Sequence, residues 1–335
     1  PLAFKAKKAG FSTAADAILK DTRKRIALFH AYNTTSFTNP QRLEEALKKL
    51  EFIVNVDMYM TELGEYADVV LPDSFWLEDG GMTVRSYQAY RPQVMLDEGA
   101  KKLFSNKGYG EIVNGILKAM SLNEFVVDPR EFGNRRMEAL GLTPESLRKA
   151  GGIYDSQAPF KGTTQFKTPS GKIELYSTVL EKAGHAPLPE WKEPASSPSE
   201  KYPYYIVTHH LPWLRMLKNS NDPVLMDIAH ENQAHIHPSL AQKIGVKSGD
   251  YVWVESPVGK IKLKAKVTQS IRPDTIMTEH GFGIWSKGRS VGYGRGANEG
   301  EVLPDRSLDE MKSCKRHVAG RGVGVCDITV NVTRA

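Results

Sequence analysis

Apolar residues in this chain fall into short clusters whose spacing changes character from the first half to the second. Arg25-Ile-Ala-Leu-Phe29 reads as a short buried strand and Phe52-Ile-Val-Asn-Val56 as the next. Between them Asn39-Pro40 opens a helix, with Asn39 as N-cap and Pro40 at the first helical position. Leu43, Ala46, Leu47 and Leu50 recur at helical spacing and form its apolar stripe. Residues 62–66 allow one helical turn, and 67–71 form a third strand stopped by Pro72. Strands alternating with helices predict an α/β fold with a parallel sheet covered on both faces. Such sheets take their ligands at the carboxyl ends of the strands. Asn33, Asp57, Thr61 and Asp73 all fall just past strand ends.

The middle of the chain carries weaker signals. Helices are predicted over 107–120 and 144–150, and a hairpin-like turn around Pro169-Ser-Gly171 within 166–176. Residues 186–203 are rich in Pro, Ser, Glu and Lys and read as a linker. The predicted domains are therefore 1–185, a partial doubly wound α/β domain, and 204–335.

Beyond the linker the periodicity becomes two. Tyr204-Tyr-Ile-Val-Thr208 is a strand, and Pro238 and Gly245 bracket a short helix. Tyr251-Val-Trp-Val-Glu255 turns at Ser256-Pro-Val-Gly259 and resumes with Ile261, Leu263, Ala265 and Val267 on one face. Thr275-Ile-Met-Thr278 and 327–332 complete the set. Short strands with one small helix predict a closed barrel.

Length and composition narrow the class. A chain of 335 residues is long enough for two domains. With 40% hydrophobic and 25% charged residues, it has the balance of a globular protein. No stretch is long and apolar enough to span a bilayer, and the first residues lack the apolar core of a signal peptide. The absence of an initiator Met is read as processing or as a start inside a longer sequence. The net charge of +6 is spread along the chain rather than gathered in runs, which argues against nucleic acid and suits local neutralisation of an anionic cofactor. The two cysteines, Cys314 and Cys326, make neither a disulfide framework nor a zinc site.

Four segments then carry a resemblance. Val56-Asp57 with Thr61-Glu62, followed by Ala67-Asp-Val-Val-Leu-Pro72 and Glu78-Asp-Gly-Gly81, resembles the third domain of molybdopterin oxidoreductases of the dimethyl-sulfoxide-reductase family. The run from Ile236 through Gly259, then Ile271-Arg-Pro-Asp274 and His280-Gly-Phe-Gly283, resembles that family's C-terminal dinucleotide-binding barrel, a double-psi barrel. Details around Pro169 and His280 are most similar to the polysulfide and thiosulfate reductase branch.

The resemblance implies a pair of pterin guanine dinucleotides (bis-MGD) holding molybdenum or tungsten. It implies contacts from Asn33, Asp57 and Thr61 on the sheet side. On the barrel side it implies Thr208, His209, His280, Gly281 and Asn298. Asp57 would supply the carboxylate that guanine N–H groups need, and glycines beside His280 permit close backbone approach. Each residue has a plainer reading: a strand-end cap for Asp57, an N-cap for Thr61, turn residues for Asn33 and His280. His209 and His210 point to opposite faces of extended chain, so one at most faces the ligand. Arg289 or Arg295 could pair with a phosphate.

The family's N-terminal cysteine motif for an iron–sulfur cluster and its protein ligand to the metal have no counterpart here. No metal ligand or catalytic residue is therefore assigned. The resemblance implies the C-terminal part of a catalytic subunit, periplasmic or membrane-associated, reducing a small inorganic sulfur compound in anaerobic respiration. Its partners would be the missing N-terminal half, an iron–sulfur subunit and a membrane anchor. The alternatives are an arsenate reductase-like enzyme, or a metal-free structural or electron-relay subunit that keeps the fold.

Overall fold

The computed structural model describes residues 15, 18–19, 23, 25–32, 38–79, 93–138, 141–155, 165–184, 186–191, 196–214, 217, 219–304 and 328–335. In chain order these contain β1 (Ile26–His30), α1 (Pro40–Leu47), β2 (Phe52–Asp57), α2 (Glu62–Tyr66), β3 (Val69–Pro72) and α3 (Trp76–Asp79). Next come β4 (Gln93–Met95), α4 (Tyr109–Ala119), α5 (Pro129–Glu138), α6 (Pro144–Lys149), β5 (Ile153–Asp155) and α7 (Thr178–Lys182). The last group is β6 (Tyr204–His209), α8 (Pro223–Ile228), β7 (Gln233–Ile236), α9 (Pro238–Ile244), β8 (Tyr251–Glu255), β9 (Lys260–Val267), β10 (Thr275–Glu279) and β11 (Ile328–Arg334).

Two compact units emerge: Pro1–Leu71 joined to Glu193–Ala335, and Pro72–Lys192. One cut falls inside the 186–203 linker. The other falls within the stretch that the sequence assigns to a single α/β domain, because β1 to α2 pack with the barrel segment.

In the first unit β1, β2 and β3 form a sheet in that order, with β1 and β2 parallel and Ile26 opposite Phe52. Asn39 caps α1 by accepting from Arg42 N, and Pro40 stands at its start. The stripe of α1 buries Leu43, Ala46 and Leu47 against Phe29, Ile53 and Leu63. The opposite face differs from the sequence expectation. Ile26 is 68% and Phe52 40% exposed, so among the described residues only one face of this sheet is fully covered.

The remaining strands of this unit close a six-stranded barrel in the order β10-β6-β11-β8-β9-β7. β6 and β10 are parallel, as are β7 and β9, while β8 pairs antiparallel with β9 and β11. Alternation follows directly from the period of two. Val252, Val254, Ile261, Leu263 and Ala265 fill the interior, with Ile206, Ile276, Ile328, Val330 and Val332 from the other strands. On the outside, Lys260 and Lys262 lie over the Trp253 ring. α9 is capped at its start by His237 and ends at Gly245 in the left-handed conformation, φ 67°. It adds Leu240 and Ala241 to the same core.

The second unit is smaller in its core. β4 and β5 pair antiparallel, and Val94, Met137, Leu142 and Leu147 cluster beside them. Arg148 pairs with Glu98 on its surface. The predicted hairpin at 166–176 is a turn without strands, closed by Phe166 N donating to Gly171 O at 3.1 Å.

Candidate functional site

The carboxyl ends of β2 and β10 are joined through the loop that follows β10. Glu62 opens α2 and is 1% exposed. Its Oε1 accepts from Trp285 N at 3.1 Å and Ser286 N at 3.2 Å, and its Oε2 pairs with the Arg289 guanidinium, itself 3% exposed. Ser286 Oγ lies 2.7 Å from Met60 O and 2.9 Å from Glu65 Oε1. Gly288 is needed there, since a Cβ would fall 2.5 Å from Met60 O. Burial holds Arg289 below the usual arginine range, opposed by the charges of Glu62 and Asp57.

Asp57 is the last residue of β2 and is half-buried. Its Oδ1 accepts from Met58 N at 2.7 Å. Burial pushes its carboxyl above the ordinary aspartate range, against the opposing pull of the Met58 and Tyr59 amides and of the Arg289 charge. Thr61 precedes α2 but makes no side-chain cap; its Oγ1 meets Asn55 Nδ2 at 3.5 Å inside the structure. Asn55 Oδ1 is buried and meets no partner among the described residues. Asn33 lies outside the described residues, as do Cys314 and Cys326.

On the barrel side the parallel register sets Thr208 beside Thr278 and His209 beside Glu279. Alternation separates the two adjacent histidines, as expected. His209 faces His235, with ring centroids 6.4 Å apart, and His210 meets His280 edge-on at 4.9 Å. His235 Nε2 lies 2.6 Å from Glu279 Oε1, and Gln233 N donates to Glu279 Oε2 at 2.9 Å. Burial alone would raise the Glu279 carboxyl, but His235 and the amide hydrogen bonds hold it below the ordinary range.

His280 Nδ1 is bonded to Glu299 Oε1. Burial disfavours the imidazolium, yet the bond to Glu299 and its charge outweigh this and hold His280 above the usual histidine range. Asn298 is 3% exposed and caps the short 3-10 helix Glu299–Val302, accepting from Gly300 N at 2.9 Å. Gly281 and Gly283 take positive φ, 105° and 78°. A Cβ on Gly283 would lie 2.2 Å from Asn298 N, so only glycine lets the two loops touch. Asn232 fastens the same region, donating to Glu279 O and Ala297 O and accepting from Ala297 N.

A cavity of about 210 Å³ opens between α1, Tyr66 and the barrel residues Trp285, Asn298 and Glu301. Its carboxyl groups, Glu44 and Glu301, make it a poor seat for a phosphate. Burial and a hydrogen bond to Glu44 push Tyr66 up to about 12.

The structure therefore gathers Asp57 and Thr61 at one strand end, and Thr208, His209, His280, Gly281 and Asn298 at the barrel rim. Arg289, a candidate phosphate partner by sequence, is instead committed to Glu62. Glu62 stands in the Thr61-Glu62 segment of the resemblance but nothing there signals its pairing, and Ser286, Glu299, Asn55 and Asn232 carry the arrangement without any sequence signal, because their partners lie far along the chain or are set by side-chain direction. Among the described residues no group of three or more His, Cys, Asp or Glu side chains could hold a metal ion.

Comparison with known proteins gives this arrangement a family. Residues 3–98 match the model of the molybdopterin oxidoreductase family, and 206–315 that of the molydopterin dinucleotide binding domain. The chain is 30% identical to the thiosulfate reductase molybdopterin-containing subunit of Salmonella typhimurium, over 78% of this chain and 38% of that one. It is 29% identical to the arsenate respiratory reductase molybdopterin-containing subunit of a Shewanella species, over 88% of this chain and 44% of that one. Acetylene hydratase from Pelobacter acetylenicus superposes with a TM-score of 0.72 at 25% identity, covering 92% of this chain and 44% of that chain. The chain thus spans less than half the length of these relatives. With both family models matched in order along it, the chain belongs to the molybdopterin oxidoreductase family.

Proposed function

We propose that this chain is the part of a molybdopterin-dependent oxidoreductase that cradles a pair of molybdopterin guanine dinucleotides. The observation that carries this reading is the joining of two polar walls, the β2 end with Asp57 and the β10 end with His280 and Asn298, by one buried connection through Glu62 and Arg289. The residues present suit such a group. Asn55 Oδ1 and His209 Nδ1 are buried and meet no partner among the described residues. Buried polar atoms left this way cost about 1–3 kcal/mol each, which a polar ligand recovers. Gly281 and Gly283 let backbone approach a ligand closely.

When bound, the metal held by the pterins supplies the redox chemistry. The chain's own residues bind and orient. Asp57, as a carboxylate, accepts from the N–H edge of guanine. His280 and Asn298 offer donors to the pterin side, and Thr61, Thr208, His209 and Gly281 complete the wall; a contact from Asn33 rests on the family resemblance alone. The six-stranded barrel is of the double-psi type in this reading.

Reduction of a small inorganic sulfur compound is the favoured activity of the whole protein, supported by the likeness to a thiosulfate reductase subunit. An arsenate reductase-like activity is the second reading, supported by the likeness to an arsenate respiratory reductase subunit. The polar character of Asp57, Thr61, His280 and Asn298 favours a working cofactor site over a metal-free structural subunit. An iron–sulfur cluster in the remaining half, an iron–sulfur partner subunit, a membrane anchor and a periplasmic location complete the proposal.

The test is chemical analysis of the purified full-length protein. The reading expects molybdenum or tungsten, with oxidised pterin and guanosine monophosphate each released at twice the metal. Protein that binds neither metal nor pterin under anaerobic expression contradicts it.

A further inference from the structure

His280 and Glu299 come from different elements, and their pairing is an arrangement that cofactor contact alone does not require. Glu299 opens the 3-10 helix that Asn298 caps, and its carboxylate is 2% exposed. One oxygen is spent on His280 Nδ1. The other, Oε2, is buried without a partner among the described residues. A buried carboxylate with one engaged oxygen is costly unless the group it faces carries a positive charge. The His280 side chain, 13% exposed, is the group it faces.

The other ionisable groups around His280 do not supply or absorb that charge. Glu279, its neighbour on β10, turns its carboxylate to His235 and the Gln233 amide. His210 meets the ring edge-on, and His209 offers His280 its backbone carbonyl, accepting from His280 N at 2.9 Å. With Nδ1 engaged, Nε2 is the ring's remaining donor.

We propose that Glu299 is a positioning residue that fixes His280 as an imidazolium, so that its Nε2–H is a charged hydrogen-bond donor to an electronegative atom of the bound pterin dinucleotide. The proposal rests on the cofactor reading above and deepens it. A carboxylate that orients and charges an imidazole makes a stronger, one-directional donor than a neutral ring, whose two tautomers compete. The raised histidine value agrees in direction with this pairing. A histidine raised by its partner keeps its proton to a higher pH than an ordinary imidazole and loses it as pH climbs past the raised value.

The experiment measures pterin retained by full-length holoenzyme after equilibration across pH 5.5 to 9, for wild type, Glu299→Gln, Glu299→Asp and His280→Gln. Wild type should retain pterin to a higher pH than Glu299→Gln. Glu299→Gln leaves the burial of the ring unopposed, so it should retain pterin only in acid and release it at or below the ordinary histidine value near 6.5. The midpoint should move down, with Glu299→Asp between the two. His280→Gln should hold pterin poorly at every pH. A Glu299→Gln curve that overlays wild type, or a loss equal at all pH values, overturns the proposal and leaves Glu299 a structural role.

A second readout separates this from failure of the cofactor reading. The full-length protein prepared without cofactor and labelled with 15N-histidine, with His280→Gln for assignment, reports the ring's titration. A wild-type value above the ordinary range that falls back in Glu299→Gln supports the pair even if no pterin is found. An ordinary value in wild type overturns it.

Discussion

Glu62 and Arg289 stand 227 positions apart and form a buried ion pair in which both side chains are under 5% exposed. The pair sits where the β2 end meets the loop after β10, so it fixes the distance between the two walls of the site. A buried charge is tolerable only with its partner. Glu62→Ala should therefore destabilise the protein by about 3–5 kcal/mol, because it strands a buried guanidinium and frees two amides. Thermal and denaturant unfolding check this. Arg25→Ala, which breaks an exposed pair with Glu51, is the control and should leave the melting temperature unchanged.

Asp57 should separate stability from function. Its carboxyl is raised by burial, so the folded state favours the protonated form more than the unfolded chain does. The ionised group therefore works against folding at neutral pH, and that penalty disappears as pH falls below the ordinary aspartate value. Asp57→Asn should raise the melting temperature at pH 7 while lowering guanine dinucleotide content. A variant that loses both stability and cofactor would assign Asp57 a structural role instead.

The glycines make a paired test. Gly245 is left-handed with open space around its missing Cβ, so Gly245→Ala should cost about 1–2 kcal/mol of backbone strain and leave cofactor content intact. Gly283 shares the positive φ but would drive a Cβ into Asn298 N. Gly283→Ala should therefore cost more and displace Asn298, with pterin content falling. Side-by-side unfolding and pterin assays of the two variants check the difference.

Inside the barrel, Ile206 is fully buried beside Ile276 and Ile328. Ile206→Ala should cost about 2–5 kcal/mol through lost transfer energy and the cavity left behind. Val224, 71% exposed, should tolerate alanine. Denaturant midpoints of the two variants are the measure.

Much of this was legible in the chain. Asn39-Pro40 and the stripe of Leu43, Ala46 and Leu47 specify α1 locally, and Pro238 with Gly245 specifies α9, because caps and periodicity are short-range properties. The alternation of Val252, Val254, Ile261 and Leu263 specifies the inward face of the β8–β9 hairpin for the same reason. What the chain hid is long-range. Nothing near Glu62 announces Arg289, and nothing near Glu299 announces His280, since each pair is made by the meeting of separate elements. Thr61 shows the limit from the other side: its position favours an N-cap, yet Asn55 takes its hydroxyl. The exposed Ile26 and Phe52 likewise break the expectation of a sheet covered on both faces, since the described residues supply helices to one face only.

The most direct test of the account is a cryo-electron microscopy map of the full-length protein purified anaerobically. The account predicts dinucleotide density with a guanine edge within hydrogen-bonding distance of Asp57 and pterin atoms within reach of His280 Nε2 and Asn298. A cofactor seated away from both walls, or a map with these residues closed onto protein groups and no cofactor between them, would contradict it.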